Sequence, residues 1–376
     1  MLRFCHAMSA FCFVLFGTVT LSAWPLALSS AQDKVQRHVN LYNWLDYIDP
    51  AVLQEFTDET GIDVYHDAMD SNDTLQVKLL SGHSGYDVVV PTGYFLPRLI
   101  KAGVLQELDK SKLSNLVNEW PEIAAKLAIY DPDNRYAVNY TWGTTGIGFD
   151  FSKTQAIYGS GAAIDSWASV FEPEKIGKFA NCGVMMLDSS DDILPAALNY
   201  LGLDPSSDEP AELERAADLV ARIRPSVRKF HSSAYINALA SGEICLVVGW
   251  SGDIKQAQHR AAEAGRGADI RYVIPKEGAQ MWFDNFAIPS DAPHPDEAYA
   301  LIDFLLRPQV AAKNSEFIFY ANGNLASQKY LASAILNDRS IYPDEAVVER
   351  LYTVPARSAT TERIMNRLWT RIKVGL

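Results

Sequence analysis

Tyr86-Asp-Val-Val-Val-Pro91 is a short, unbroken apolar run closed by a proline, and a run of that kind suits a strand buried on both faces. It completes a βαβαβ rhythm. Val39 to Trp44 reads as a first strand. Asp49 and Pro50 then supply a helix N-cap and first turn, Val52, Leu53 and Phe56 an apolar stripe, and Gly61 the stop. Ile62 to Tyr65 is the next strand, with helices at Thr74 to Leu80 and, after the third strand, Phe95 to Ala102. Strands alternating with helices imply a parallel, doubly wound α/β sheet. The pattern restarts with buried strands at Cys182 to Leu187 and Gly242 to Val248, and helices between them at Ile193 to Leu201 and Pro210 to Ile223. No sequence repeat relates the halves and no low-complexity linker divides them. Two lobes joined by ordinary strands, as in a clamshell, are therefore expected. A last helix, Glu362 to Lys373, carries Ile364, Met365, Leu368, Trp369 and Ile372 at helical spacing, a stripe that belongs in a core.

The beginning of the chain follows other rules. Arg3 precedes an uncharged, largely apolar run from Phe11 to Leu28, and Ser29-Ser-Ala31 leads into the polar Gln32-Asp-Lys34. Residues 1–31 read as a secretory signal cleaved near Ala31. The alternative, an uncleaved anchor, is weakened by Gly17, Thr18, Thr20, Ser22 and Pro25. No cysteine stands at the cleavage point to carry a lipid. Cys5 and Cys12 leave with the signal, so the exported chain keeps Cys182 and Cys245. In an oxidising compartment two cysteines suggest one disulfide, with two buried thiols as the alternative.

Charge narrows the partners. The 376 residues hold 33 Lys plus Arg against 46 Asp plus Glu, a net charge of -13, and no basic cluster. A reader of nucleic-acid phosphates is excluded on that balance. Enzyme motifs largely fail: Gly249-Trp-Ser-Gly-Asp253 and Gly82-His-Ser-Gly-Tyr86 each lack the last glycine of a nucleophile elbow. The histidines show no metal-ligand spacing, and neither a Walker loop nor a complete dinucleotide fingerprint occurs. No cofactor or metal is expected.

Aromatics and carboxylates instead recur where strands end. Trp44-Leu-Asp-Tyr47 follows the first strand, Thr92-Gly-Tyr94 the third, and Trp250-Ser-Gly-Asp253 the strand through Val248, while Trp282-Phe-Asp-Asn285 is a fourth cluster. Ligands of open α/β sheets bind beyond the carboxyl ends of strands. Rings flanked by carboxylates form a box for an organic cation, holding its alkyl chain and its ammonium ends. A sugar would also suit aromatics with aspartates.

Tyr42-Asn-Trp-Leu-Asp-Tyr47, Tyr86 to Pro91, Thr144-Thr-Gly-Ile-Gly148, Phe230-His-Ser-Ser233, Gly249 to Asp253, Ile274-Pro-Lys-Glu-Gly278 and Phe319-Tyr-Ala-Asn322 together resemble the periplasmic polyamine-binding proteins of bacterial ABC transporters. The putrescine-binding branch is nearest and the spermidine-binding branch next. The resemblance implies a two-lobed periplasmic binding fold of type II-like character, each lobe a mixed sheet flanked by helices, with the ligand cleft between lobes. Residues 35–142 plus 282–334 would form the first lobe and 143–281 plus 335–376 the second. It implies a ligand set of Trp44, Asp46, Tyr47, Thr92, Tyr94, Asp192, Ser232, Trp250, Asp253, Trp282, Asp284 and Tyr320, and a disulfide between Cys182 and Cys245. Tyr94 and Trp282 are similar to the spermidine branch, Asp253 and Val354 to the putrescine branch. The function implied is extracytoplasmic capture of a polyamine by a monomer that catalyses nothing and delivers its ligand to a membrane permease. The alternatives are a sugar-binding protein or a secreted hydrolase using Ser251 or paired carboxylates.

Overall fold

Asp49 accepts the Ala51 N–H at 2.8 Å, Pro50 occupies the first turn, and Gly61 closes the helix Pro50–Thr60 at φ 68°, so that helix begins and ends where its local chemistry dictates. The computed structural model describes residues 36–159, 161 and 163–375; the expected signal at residues 1–31 lies outside them. Among the described residues, no helix is long and apolar enough to cross a membrane.

The strands are β1 (His38–Trp44), β2 (Asp63–Met69), β3 (Val88–Val89), β4 (Ala137–Asp150), β5 (Val184–Met186), β6 (Lys229–Phe230), β7 (Leu246–Trp250), β8 (Ile270–Val273), β9 (Ala279–Ala287), β10 (Ala321–Asn322) and β11 (Leu351–Tyr352). Eight of them pair in the order β2-β1-β3-β9-β4-β7-β5-β6, while β8 and β10 pair with β4 and β11 with β9. β1 runs parallel to β2 from His38 opposite Asp63 to Trp44 opposite Met69, and parallel to β3 with Leu41 opposite Val88. The alternation of strands and helices anticipated this half. β9 departs from the parallel pattern of the strand–helix alternation: it lies antiparallel to both β3 and β4, so the sheet is mixed, as the family resemblance implied.

β4 is the strand that the apolar pattern hides. All 14 of its residues are buried, yet Gly143, Gly146 and Gly148 interrupt any regular alternation. Gly146 lies against the Tyr272 ring and Gly148 against Ile254, positions where a Cβ would collide. The first part of β4 pairs with β9, from Ala137 opposite Ala287 to Thr144 opposite Met281. Its second part pairs with β7, Thr145 opposite Trp250, and with β8, Ile147 opposite Val273. One strand thus serves two hydrophobic cores. The first core gathers residues between Val39 and Trp142 and between Met281 and Tyr342; the second gathers Ile147 to Ile270 with Met365, Leu368, Trp369 and Ile372. Ile341 and Tyr342, expected in the second lobe, pack in the first core. Cys182 and Cys245 are joined as a disulfide in the second core, with Cα atoms 5.7 Å apart.

Candidate functional site

Between the elements carrying these two cores lies a cavity of about 530 Å³. Trp44 reaches it from the end of β1, Tyr47, Thr92 and Tyr94 from the segments that follow β1 and β3, and Trp282 and Asp284 from the middle of β9. Asp192, Ser232, Trp250 and Asp253 reach it from the second core's side, and Tyr320 completes the wall. Eleven of the twelve expected ligand residues therefore meet in one place.

Each acid is set in a donor network. Asp284 is 5% exposed; Tyr47 donates its hydroxyl to Oδ2 at 2.9 Å and Thr92 to Oδ1 at 2.7 Å. Asn72 holds Thr92 in turn, donating to its hydroxyl at 2.9 Å while accepting its N–H at 3.0 Å. Asp253 is 7% exposed and receives the Tyr235 hydroxyl on Oδ2 at 2.6 Å and the Tyr320 hydroxyl on Oδ1 at 2.7 Å. Asp192 accepts from Thr145 and Ser189 at 2.6 Å each and from the Trp250 indole at 3.2 Å. Burial raises all three carboxyls above the ordinary range, Asp253 to about 6 and Asp284 to about 7, because a charge removed from water is disfavoured. The hydrogen bonds from the tyrosines and Thr92 oppose that rise only in part.

The rings form a continuous lining. Trp250 stands edge-on to Trp44 at 6.2 Å and to Trp282 at 6.3 Å, and Tyr320 meets Trp282 at 5.3 Å and Tyr47 at 5.2 Å. The Trp44 indole donates to the Val90 carbonyl at 3.0 Å, which fixes the ring against the end of β3. A cleft with aromatic sides and buried acids is built to desolvate a cation with an apolar stem.

Asp46 does not join the cavity. It takes the left-handed conformation at φ 56°, and its carboxylate accepts from Arg260 at 2.7 Å, outside the cavity lining. Val354 also stands off the lining, buried with its carbonyl accepting the Tyr130 hydroxyl at 2.8 Å. Ser251, the serine of the near-miss elbow, accepts the Thr144 N–H at 3.4 Å. Sequence reasoning missed Tyr235, Asn72, Asp188, Asp191, Trp369 and Lys373. The stripe of the helix Ala359–Val374 is core as expected, yet Trp369 and Lys373 on the same helix also line the cavity. Tyr235 gave no signal of its own beyond lying next to the Phe230-His-Ser-Ser233 motif.

Residues 51–338 match the family model for the bacterial extracellular solute-binding proteins. The chain belongs to that family. This solute-binding protein is 49% identical to the putrescine-binding periplasmic protein SpuD of Pseudomonas aeruginosa over 357 residues, 95% of this chain and 97% of the relative. It is 36% identical to the spermidine/putrescine-binding periplasmic protein of Salmonella typhimurium, covering 87% of this chain and 89% of that one. Among solved structures it is similar to the spermidine/putrescine ABC transporter substrate-binding protein PotD of Streptococcus pneumoniae, with a TM-score of 0.74, 28% identity, and coverage of 90% and 99%. The solute-binding protein accordingly has the two-lobed fold that its residues led us to expect.

Proposed function

We propose that this protein is a monomeric periplasmic receptor that captures a polyamine, putrescine in preference to spermidine, and delivers it to the permease of an ABC transporter without catalysing a reaction. One observation carries the reading. Asp253 and Asp284 are separate buried carboxylates on one aromatic-lined cavity, each braced by two hydroxyl donors and neither in an ion pair among the described residues. A diamine supplies a charge for each and an alkyl chain for the rings between. A sugar would bring no charge to relieve two buried acids, and an ester substrate would leave them equally unpaired. The relatives named for putrescine and spermidine support the same class of ligand.

A ligand of six heavy atoms at a ceiling near -1.5 kcal/mol per atom can reach about -9 kcal/mol, so putrescine is expected to bind at roughly micromolar strength or better. A thermal-shift screen across di- and polyamines, amino acids and sugars, followed by titration calorimetry, tests this. Stabilisation by putrescine and spermidine is the expected result. Stabilisation by sugars with no response to amines would overturn it.

A further inference from the structure

Lys373 is the one lysine or arginine among the described residues lining a cavity otherwise rich in aspartates. It stands in the last turn of the helix Ala359–Val374 and reaches Asp188, giving its ammonium to Oδ1 at 2.8 Å and Oδ2 at 3.0 Å. The Trp369 indole, one turn earlier, donates to Asp188 Oδ1 at 2.8 Å. Ser232 fixes the start of that loop by accepting the Asp188 N–H at 3.1 Å. Asp188 is thus a finished cation site whose cation belongs to the protein. Asp192, Asp253 and Asp284 differ, since among the described residues only neutral donors hydrogen-bond to them.

We infer that Lys373 is a specificity residue, a tethered ammonium that already fills the cation position at Asp188 and competes there with the further ammonium of a longer polyamine. The inference rests on the polyamine reading above. The pair is suited to exchange: the side chains of Lys373 and Asp188 are 39% and 38% exposed, so water already weakens their attraction. What holds Lys373 there is its tether, which keeps its effective concentration at Asp188 far above that of a free amine. Putrescine spans two acids and leaves the pair intact. Spermidine has a further ammonium that finds Asp188 already neutralised, or else breaks the pair and leaves Lys373 without its partner. A cavity of about 530 Å³ has room for the longer chain, so the selection against that chain is electrostatic rather than steric.

The test is side-by-side calorimetry of putrescine and spermidine at one salt concentration on wild type, Lys373→Met, Lys373→Arg and Lys373→Met/Asp188→Asn. Methionine keeps the apolar stem and removes the charge. It should raise the spermidine-to-putrescine affinity ratio by up to about fivefold, the order of a part-exposed ion pair. Lys373→Arg should keep the wild-type ratio, and the double variant should lose the gain. An unchanged ratio in Lys373→Met, or a gain that survives Asp188→Asn, overturns the inference while wild-type putrescine binding leaves the polyamine reading standing. A wild-type protein that binds neither amine overturns both.

Discussion

The Tyr320 hydroxyl donates to Asp253 Oδ1 at 2.7 Å and accepts the Asp253 backbone N–H at 3.1 Å, although Tyr320 packs in the first hydrophobic core and the helix Ser251–Glu263 that carries Asp253 packs on the second. The same side chain therefore lines the cavity and ties its two sides together. Arg260 adds a second tie from that helix to Asp46, and Gln256 a third, donating to the Asp46 and Ile318 carbonyls at 3.3 Å each. The site is assembled only when the two sides meet.

Removing the tie should weaken binding without unfolding either core. Tyr320→Phe loses a hydrogen bond to a charged group, worth about 1.5–3 kcal/mol, so putrescine affinity should fall tenfold or more. Calorimetry checks the affinity, and small-angle scattering should show a more open ligand-free protein. Retention of wild-type affinity would count against any role for the tie.

Gly252 makes the same point sterically. A Cβ there would run into the Tyr320 ring, so Gly252→Ala should obstruct the approach of the two sides. Alanine favours the helix by about 1 kcal/mol over glycine, and the ligand-free melting temperature should therefore hold or rise while binding falls. A parallel loss of stability and affinity would contradict this separation.

The carboxylates should matter more than the hydroxyls around them. Asp253→Asn and Asp284→Asn each leave an ammonium buried without its anion, a loss of several kcal/mol that should weaken putrescine at least tenfold. Thr92→Ala removes one of two donors to Asp284 and should do less harm. Calorimetry with both Asn variants within twofold of wild type would sink the cation-box reading.

The pH dependence follows from burial. Asp253 and Asp284 titrate near 6 and 7 in the folded, ligand-free protein, above the ordinary 3.8. Between those values the native state holds more protons than the unfolded chain, so this contribution to stability is complete below about pH 4 and is lost as pH rises toward 7. An ammonium beside each carboxylate lowers its pKa again. Ligand-free melting temperature should therefore decline over that window while the putrescine-induced increment grows. Calorimetry near pH 6 in buffers of different ionisation enthalpy should register proton release on binding, and proton uptake would reverse the argument.

The disulfide acts elsewhere. Cys182 and Cys245 are 63 residues apart, and closing a loop of that length restricts the unfolded chain by about 4 kcal/mol. A Cys182→Ala/Cys245→Ala variant should melt lower in denaturant yet bind putrescine as wild type does. Altered affinity at unchanged stability would place the bridge in the site.

What the sequence determined by itself was local. Asp49, Pro50 and Gly61 bound a helix through contacts within one turn, and the run ending at Pro91 announces a buried strand, because capping and apolar burial act on neighbours in the chain. Aromatics and acids placed at strand ends were enough to indicate a cavity, since a parallel sheet delivers every such loop to one edge. Tertiary structure decided the rest. Asp46 and Asp253 look alike as acids beside a tryptophan, but one is claimed by Arg260, 214 residues away, and the other by Tyr320 at a separation of 67. Lys373 reads as an ordinary helix residue and Tyr235 carries no signal of its own, yet the fold sets them against Asp188 and Asp253. The antiparallel course of β9 and the shared strand β4 depend on pairings across most of the chain. A carboxylate's role is set by the partners that fold around it, and those partners are not its neighbours in sequence.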